Sequence, residues 1–154
     1  MHSRHRITAR GVWAIILLLA AWPCSPARSA EPLRGRKPNI VFILTDDQGY
    51  GDISAHGNPI LKTPNLDRLH DEGVRFTDFH VSPTCAPTRS ALLTGRHEFK
   101  NGVTHTILER ERLTLKATTL AQVLQSAGYT TGIFGKWHLG DESDHWPSRR
   151  GFNE

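Results

Sequence analysis

Asn39-Ile40-Val41-Phe42-Ile43-Leu44-Thr45-Asp46-Asp47 is an apolar run of branched and aromatic residues, bounded by Pro38 before it and by two acids at its end. Continuous apolar character without alternation fits a strand buried on both faces, the habit of a central parallel sheet. Working outward, Thr63-Pro64-Asn65-Leu66-Asp67-Arg68-Leu69 combines an N-cap, a proline at the first helical position and apolar spacing, and Gly73 closes a short helix. Residues Val74 to Val81 alternate imperfectly and read as a second strand. Thr118 or Thr119 caps a helix bearing Leu120, Val123, Leu124 and Ala127, ended by Gly128. Tyr129 to Phe134 reads as a third strand, leading into Gly135-Lys136-Trp137-His138-Leu139-Gly140. Strands alternating with helices predict an α/β fold, with a mostly parallel central sheet flanked by helices and ligands gathered beyond the strand carboxyl ends. Asp46-Asp47, and later Lys136 and His138, each follow a predicted strand, so the pattern sends both groups to one edge.

The first thirty residues obey other rules. Arg4, Arg6 and Arg10 form a basic start, Gly11 to Trp22 is an apolar stretch too short to span a membrane comfortably, and Ser25, Ala27 and Ala30 offer small residues for cleavage. This is the pattern of a secretory signal peptide over residues 1–30, cut after Ala27 or Ala30, which predicts export to a periplasmic or extracellular space. Cys24 sits in a poor lipid-attachment context, so removal of the segment is expected, with no membrane attachment afterwards. Residues 31–37 read as a polar linker and 38–154 as the folded part. Residues 1–30 hold four of the 19 Lys+Arg and no acid, so 15 basic residues face 15 acidic ones beyond it. The basic overall pI of about 9.4 therefore belongs to the targeting segment, and no electrostatic footprint of a nucleic-acid binder remains. With Cys24 removed, Cys85 has no internal disulfide partner. The remaining 124 residues suit one small domain but are short for a doubly wound enzyme, and the chain reads as the N-terminal portion of something longer: a fragment, a split gene or a truncated product.

Cys85-Ala86-Pro87-Thr88-Arg89 is followed by Ser90-Ala91-Leu92-Leu93-Thr94-Gly95. A lone cysteine is usually a small buried hydrophobe. Here Pro87 can open a helix that Gly95 ends, which puts Cys85 at a helix N-terminus, where a thiolate is favoured and a redox or protease role is conceivable. Adjacent acids at a strand end are by themselves more often a turn than a site. In a strand their side chains point to opposite faces, so Asp46 and Asp47 reach one ion only if the chain bends, and Gly49 and Gly51 supply the flexibility. Lys136 and His138, two apart in extended chain, share a face and can meet one oxyanion, although Lys-x-His alone is a weak pattern. Arg89, one helical turn from Cys85, is by default a solvated helix arginine.

Taken together and in this order, the Asp46-Asp47 opening, the Cys-x-Pro-x-Arg run with its Thr-Gly, and the Gly-Lys-Trp-His-Leu-Gly hexamer resemble the type I sulfatases, from Pro38 to Glu154. The resemblance implies an alkaline-phosphatase-like α/β fold, incomplete at its C-terminus. It implies that a formylglycine-generating enzyme oxidises Cys85 to an aldehyde whose hydrate is the nucleophile, and that Asp46 and Asp47, with the modified Cys85, hold a divalent cation. Hard oxygen ligands in irregular geometry suit Ca2+. Arg89 and Lys136 would bind hydroxyl or sulfuryl oxygens, and His138 would add a donor able to carry protons. Family members contribute a second metal-ligand pair, a further histidine and a further lysine later in their chains, beyond the portion matched here.

The activity expected from this resemblance is hydrolysis of a sulfate ester, of a sulfated glycan or an aryl sulfate, to an alcohol and inorganic sulfate. Two alternatives stand beside it: a phosphonate or phosphodiester hydrolase on the same scaffold, and an inactive truncated chain. The other histidines, His56, His70, His80, His97, His105 and His145, are expected at the surface or hydrogen-bonded in the core. His105 is the one to watch near a substrate pocket, and Trp137 is expected to pack behind the Lys–His segment.

Overall fold

The computed structural model describes residues 35–154, so the expected signal segment and residues 31–34 of the expected linker lie outside the described residues. The chain divides into two compact units, Met1–Ile43 and Leu44–Glu154. In the first, a turn at Gly35 leads into exposed chain without regular secondary structure through residue 43. Among the described residues no helix is long and apolar enough to cross a membrane.

The second unit holds three α-helices, α1 (Pro64–Glu72), α2 (Cys85–Thr94) and α3 (Leu120–Ser126), with short 3-10 turns before α1, between α2 and α3, and after α3. Pro64 opens α1 as the sequence predicts, because a proline at the first position loses only an amide that no helical carbonyl would have accepted. Gly73 closes it by donating its N–H to the Leu69 carbonyl at 2.9 Å. A Cβ there would lie 2.6 Å from that oxygen, so the close approach requires glycine. Helix α3 is capped by Thr119, the second of the two expected candidates. Its Oγ1 accepts the Gln122 N–H at 3.2 Å while the Gln122 side chain accepts the Thr119 N–H at 2.9 Å.

Helix α2 begins two residues before Pro87, at Cys85 itself, with Thr84 as N-cap. Pro87 is thus inside the first turn, where its missing N–H is harmless. Ala86, Ser90 and Leu93, spaced four and three apart, turn toward a core of Ala86, Val103, Leu113, Ala117 and Leu139, with Leu93 and Trp137 packed at its margin. Burying a leucine such as Leu113 or Leu139 contributes about 1.5–3 kcal/mol. Gly95 ends the helix in the left-handed region, φ 64°, donating to the Ala91 carbonyl at 2.9 Å.

The expected sheet is not formed: among the described residues there is no β-strand. Ile40, Val41, Phe42 and Ile43 are exposed rather than buried on two faces, and Val74, Phe76, Phe79 and Val81 are exposed as well. A strand of a parallel sheet needs a hydrogen-bonded neighbour on each edge and cover on each face, and nothing among the described residues provides either. The third run comes nearest: Asn153 N–H donates to the Thr131 carbonyl at 2.7 Å and Ile133 N–H to the Glu154 carbonyl at 2.8 Å. Leu120 and Val123 of α3 are also exposed, so the apolar stripe read from the sequence is uncovered.

Polar networks hold the segments that lack a core. The Arg150 guanidinium is buried and donates to the Ala117, Thr114 and Leu115 carbonyls, the closest at 2.8 Å, and burial pulls its pKa below the usual arginine range. In the first turn of α1, Asp67 accepts from Ser54 Oγ at 2.5 Å, from Thr63 Oγ1 at 2.9 Å and from the Ala55 N–H at 2.9 Å. These bonds, Ser54 first, hold the Asp67 carboxyl below the usual aspartate range. A carboxyl depressed in the folded state stabilises above its unfolded pKa, and that contribution is lost as pH falls through the lower folded value. Acid titration followed by amide exchange over residues 50–73 should show the wild-type loop loosening below about pH 4. Asp67→Asn should be looser near neutrality and lose most of that acid dependence.

Candidate active site

The apolar run ends at Leu44-Thr45, and the backbone turns at Asp47, which adopts the left-handed region with φ 56°. The bend needed to aim neighbouring carboxyls at one place therefore sits at Asp47 itself. Gly49, with φ −72°, does not supply it. Aspartate is among the few residues that accept this conformation, because its short polar side chain can bond locally. As a result, ligand atoms of Asp46, Asp47 and Cys85 all lie within 4.8 Å of one another.

Cys85 reaches this place as the first residue of α2, and Arg89 follows one turn later on the same side. The loop ahead of it is fastened by Ser82, whose hydroxyl donates to Glu98 at 2.6 Å, and by Thr88, whose hydroxyl donates to the Ser82 carbonyl at 2.9 Å. The Ser82 bond holds the Glu98 carboxyl below its usual range. Residues 44–48 and 81–85, with Thr88 and Arg89, line a cleft of about 360 Å³.

Two cations converge on Asp46. The Lys136 ammonium donates at 2.6 Å and the Arg89 guanidinium at 3.3 Å, while Arg89 also donates to the Lys136 carbonyl at 2.6 Å. The Lys136 bond first, then Arg89 and Cys85, hold the Asp46 carboxyl below the usual aspartate range. The same contacts, Asp46 first and Cys85 second, push the Lys136 ammonium up. Arg89 is 11% exposed while Asp46 and Lys136 are each 38% exposed, so the cluster opens to solvent on the lysine side. Its Nε is buried without a partner among the described residues.

His138 is placed differently from the sequence expectation. Its φ of 61° breaks the extended geometry that would have set its side chain beside that of Lys136. Its Nε2 lies 3.0 Å from the Thr106 carbonyl and 3.1 Å from Glu111 Oε2. Of the expected site residues, then, Asp46, Asp47, Cys85, Arg89 and Lys136 form one cluster, and the bonds of His138 go elsewhere. Trp137 packs as expected, edge-on to Phe152 at 6.0 Å between ring centroids, with its Nε1 donating to the His145 carbonyl at 3.0 Å. His105 is half-buried and touches Thr106. Glu111 was not visible as a partner of His138 in the sequence, because a glutamate in a charged Glu-Arg-Glu-Arg run reads as solvated surface.

The donor set suits a hard divalent ion: two carboxylates at one apex, with the Cys85 Sγ marking where an oxygen of a modified side chain would stand. Asp46 already draws cationic groups to itself.

The sulfatase family model matches residues 38–154, and the chain belongs to the sulfatase family. It is 51% identical over 123 residues to arylsulfatase G of Homo sapiens, covering 78% of this chain and 23% of that protein. Arylsulfatase A of Homo sapiens is 48% identical over 124 residues, covering 77% and 24%. The crystal structure of Ps i-CgsB superposes with a TM-score of 0.68 at 37% identity, over 77% of this chain and 27% of that one. The same protein in complex with k-i-k-neocarrahexaose gives a TM-score of 0.62 at 35% identity, over 70% of this chain and 25% of that one. The chain spans about a quarter of the length of these relatives.

Because the Lys136 ammonium competes for Asp46, removing it should favour a metal at the same carboxylate. Calorimetric titration with Ca2+ is expected to give a Kd a few-fold lower for Lys136→Met than for wild type, and weak or no binding for Asp46→Asn. Equal or weaker binding by the lysine variant would show that the ion does not meet Asp46.

Proposed function

We propose that this chain supplies the nucleophile and half of the metal site of an enzyme that hydrolyses sulfate esters to an alcohol and inorganic sulfate. The observation that supports this most is the single cluster of Asp46, Asp47 and Cys85, with Arg89 and Lys136 bound to Asp46. The family relation supplies the chemistry of Cys85: converted to formylglycine by a dedicated generating enzyme, it presents a hydrated aldehyde in place of a thiol. Asp46 and Asp47 would hold Ca2+, which when bound polarises sulfuryl oxygens and makes a neighbouring hydroxyl more acidic.

The chain's own residues do the rest by position. Arg89, tied to a carbonyl and a carboxylate at once, keeps a fixed positive charge beside Cys85 with little left to reorganise as charge develops on the sulfuryl group. Lys136 is partly exposed, where the anionic sulfate group of an incoming monoester can draw its ammonium from Asp46 once that carboxylate has another cation. His138 would hold or deliver a proton from the Lys-Trp-His-Leu segment.

A sulfated carbohydrate is the proposed substrate class, supported by the carbohydrate bound to the similar structure. Export to a periplasmic or extracellular space is proposed from the basic-then-apolar N-terminus. The alkaline-phosphatase-like sheet is proposed as the destination of residues 39–45, 74–81 and 129–134. Their apolar side chains are exposed here, and the sheet would need strands beyond those this chain contributes.

Prepared from a host that makes formylglycine and joined to a later sulfatase portion that supplies the second metal-ligand pair, the chain should hydrolyse nitrophenyl sulfate with Ca2+ present. Cys85→Ala should reduce kcat by several orders of magnitude. Preference for a nitrophenyl phosphodiester would favour the phosphodiesterase alternative. No hydrolysis of either ester by the converted, completed chain would overturn the sulfate-ester reading.

A further inference from the structure

We propose that Glu111 is a positioning residue for His138, locking its ring with the proton on Nε2 and leaving Nδ1 as the basic nitrogen. Both neighbours of Nε2 are acceptors: the Thr106 carbonyl at 3.0 Å and the Glu111 carboxylate at 3.1 Å. A nitrogen between two acceptors carries the hydrogen. Nδ1 is buried without a partner among the described residues. A proton on Nδ1 would thus be a buried donor with nothing to donate to, whereas a lone pair there costs less. The neutral Nε2–H ring is the form that satisfies every contact.

The arrangement is also directional. Glu111 ends the 3-10 turn Leu108–Glu111, and its side chain is 13% exposed, unusual for a glutamate in a charged run. His138 holds a left-handed backbone at φ 61°, a conformation that costs free energy for a residue of its size unless surrounding contacts enforce it. The Thr106 carbonyl and Glu111, from a loop about thirty residues earlier in the chain, are the hydrogen-bond contacts its ring makes in that conformation. A carboxylate behind an imidazole fixes ring orientation and tautomer, as it does in many catalytic and metal-bound histidines.

The catalytic consequence rests on the proposed reading of His138 as an active-site residue, but the tautomer does not. The test is the ring 15N spectrum of the metal-free 154-residue chain at about pH 8, where a typical imidazole is neutral. The His138 signals are assigned by their loss in His138→Asn. Wild type and Glu111→Gln, which retains an acceptor oxygen, should show the Nε2–H form, and Glu111→Ala should show a mixture of the two tautomers. An Nδ1–H ring in wild type overturns the proposal without any variant, and so does an unchanged ring in folded Glu111→Ala. In an active preparation Glu111→Ala should lower kcat about tenfold with KM little changed. A changed ring in a chain without sulfate-ester hydrolysis supports the positioning role and counts against the functional reading instead.

Discussion

A carboxylate bound by two cations at once is strongly localised, and Asp46 is in that position, with Lys136 at 2.6 Å and Arg89 at 3.3 Å. The three residues come from a loop, the side of α2, and a loop some ninety positions away in the chain. Their mutual attraction draws distant segments together around Cys85. The bond from Arg89 to the Lys136 carbonyl adds a link that does not depend on the lysine side chain. One further constraint makes the cluster a candidate site and not only an ion pair. Asp47 accepts a left-handed backbone, so the second carboxyl turns toward the first and toward the start of α2. Fixed positive charge held at the start of α2 is the kind of electrostatic arrangement that stabilises a developing oxyanion.

Much of this was legible because the chemistry lies in short local patterns. The position of Cys85 at a helix start and of Arg89 one turn later follows from local capping and the 3.6-residue period. Both hold, although the helix begins at Cys85 and not at Pro87. Pro64, Gly73 and the Thr119–Gln122 box likewise act where the sequence places them. The failures concern backbone torsions and long-range partners. Alternation in extended chain predicts a shared face for Lys136 and His138, and one positive φ at His138 undoes it. Glycines are the usual place to look for a bend, but at the acidic pair the aspartate itself makes it. Nothing in a Glu-Arg-Glu-Arg run announces that Glu111 meets a histidine 27 positions later.

The sheet is absent among the described residues for a different reason. A continuous apolar run such as residues 39–45 reports a preference for burial, not the presence of partners. A strand is held only when a neighbouring strand supplies hydrogen bonds along at least one edge, and a central one needs both. The described core is small, centred on Leu113, Leu139 and Val103, and much of the remaining order is polar: Arg150 among carbonyls, Asp67 among hydroxyls, Thr131 against Gly151 and Asn153. In the second unit large apolar side chains such as Phe76 and Phe134 are left exposed.

The central claim is that Cys85 is placed for conversion and not retained as a thiol. The most direct measurement is the mass of the peptide spanning Ser82 to Arg89, taken from chain produced in a host that makes formylglycine. Conversion exchanges the thiol for an aldehyde and lowers the mass by about 18 Da, with a matching adduct after treatment with a hydrazide. That result is the one predicted. A peptide of unmodified mass, from a preparation in which other sulfatases are converted, would contradict the account.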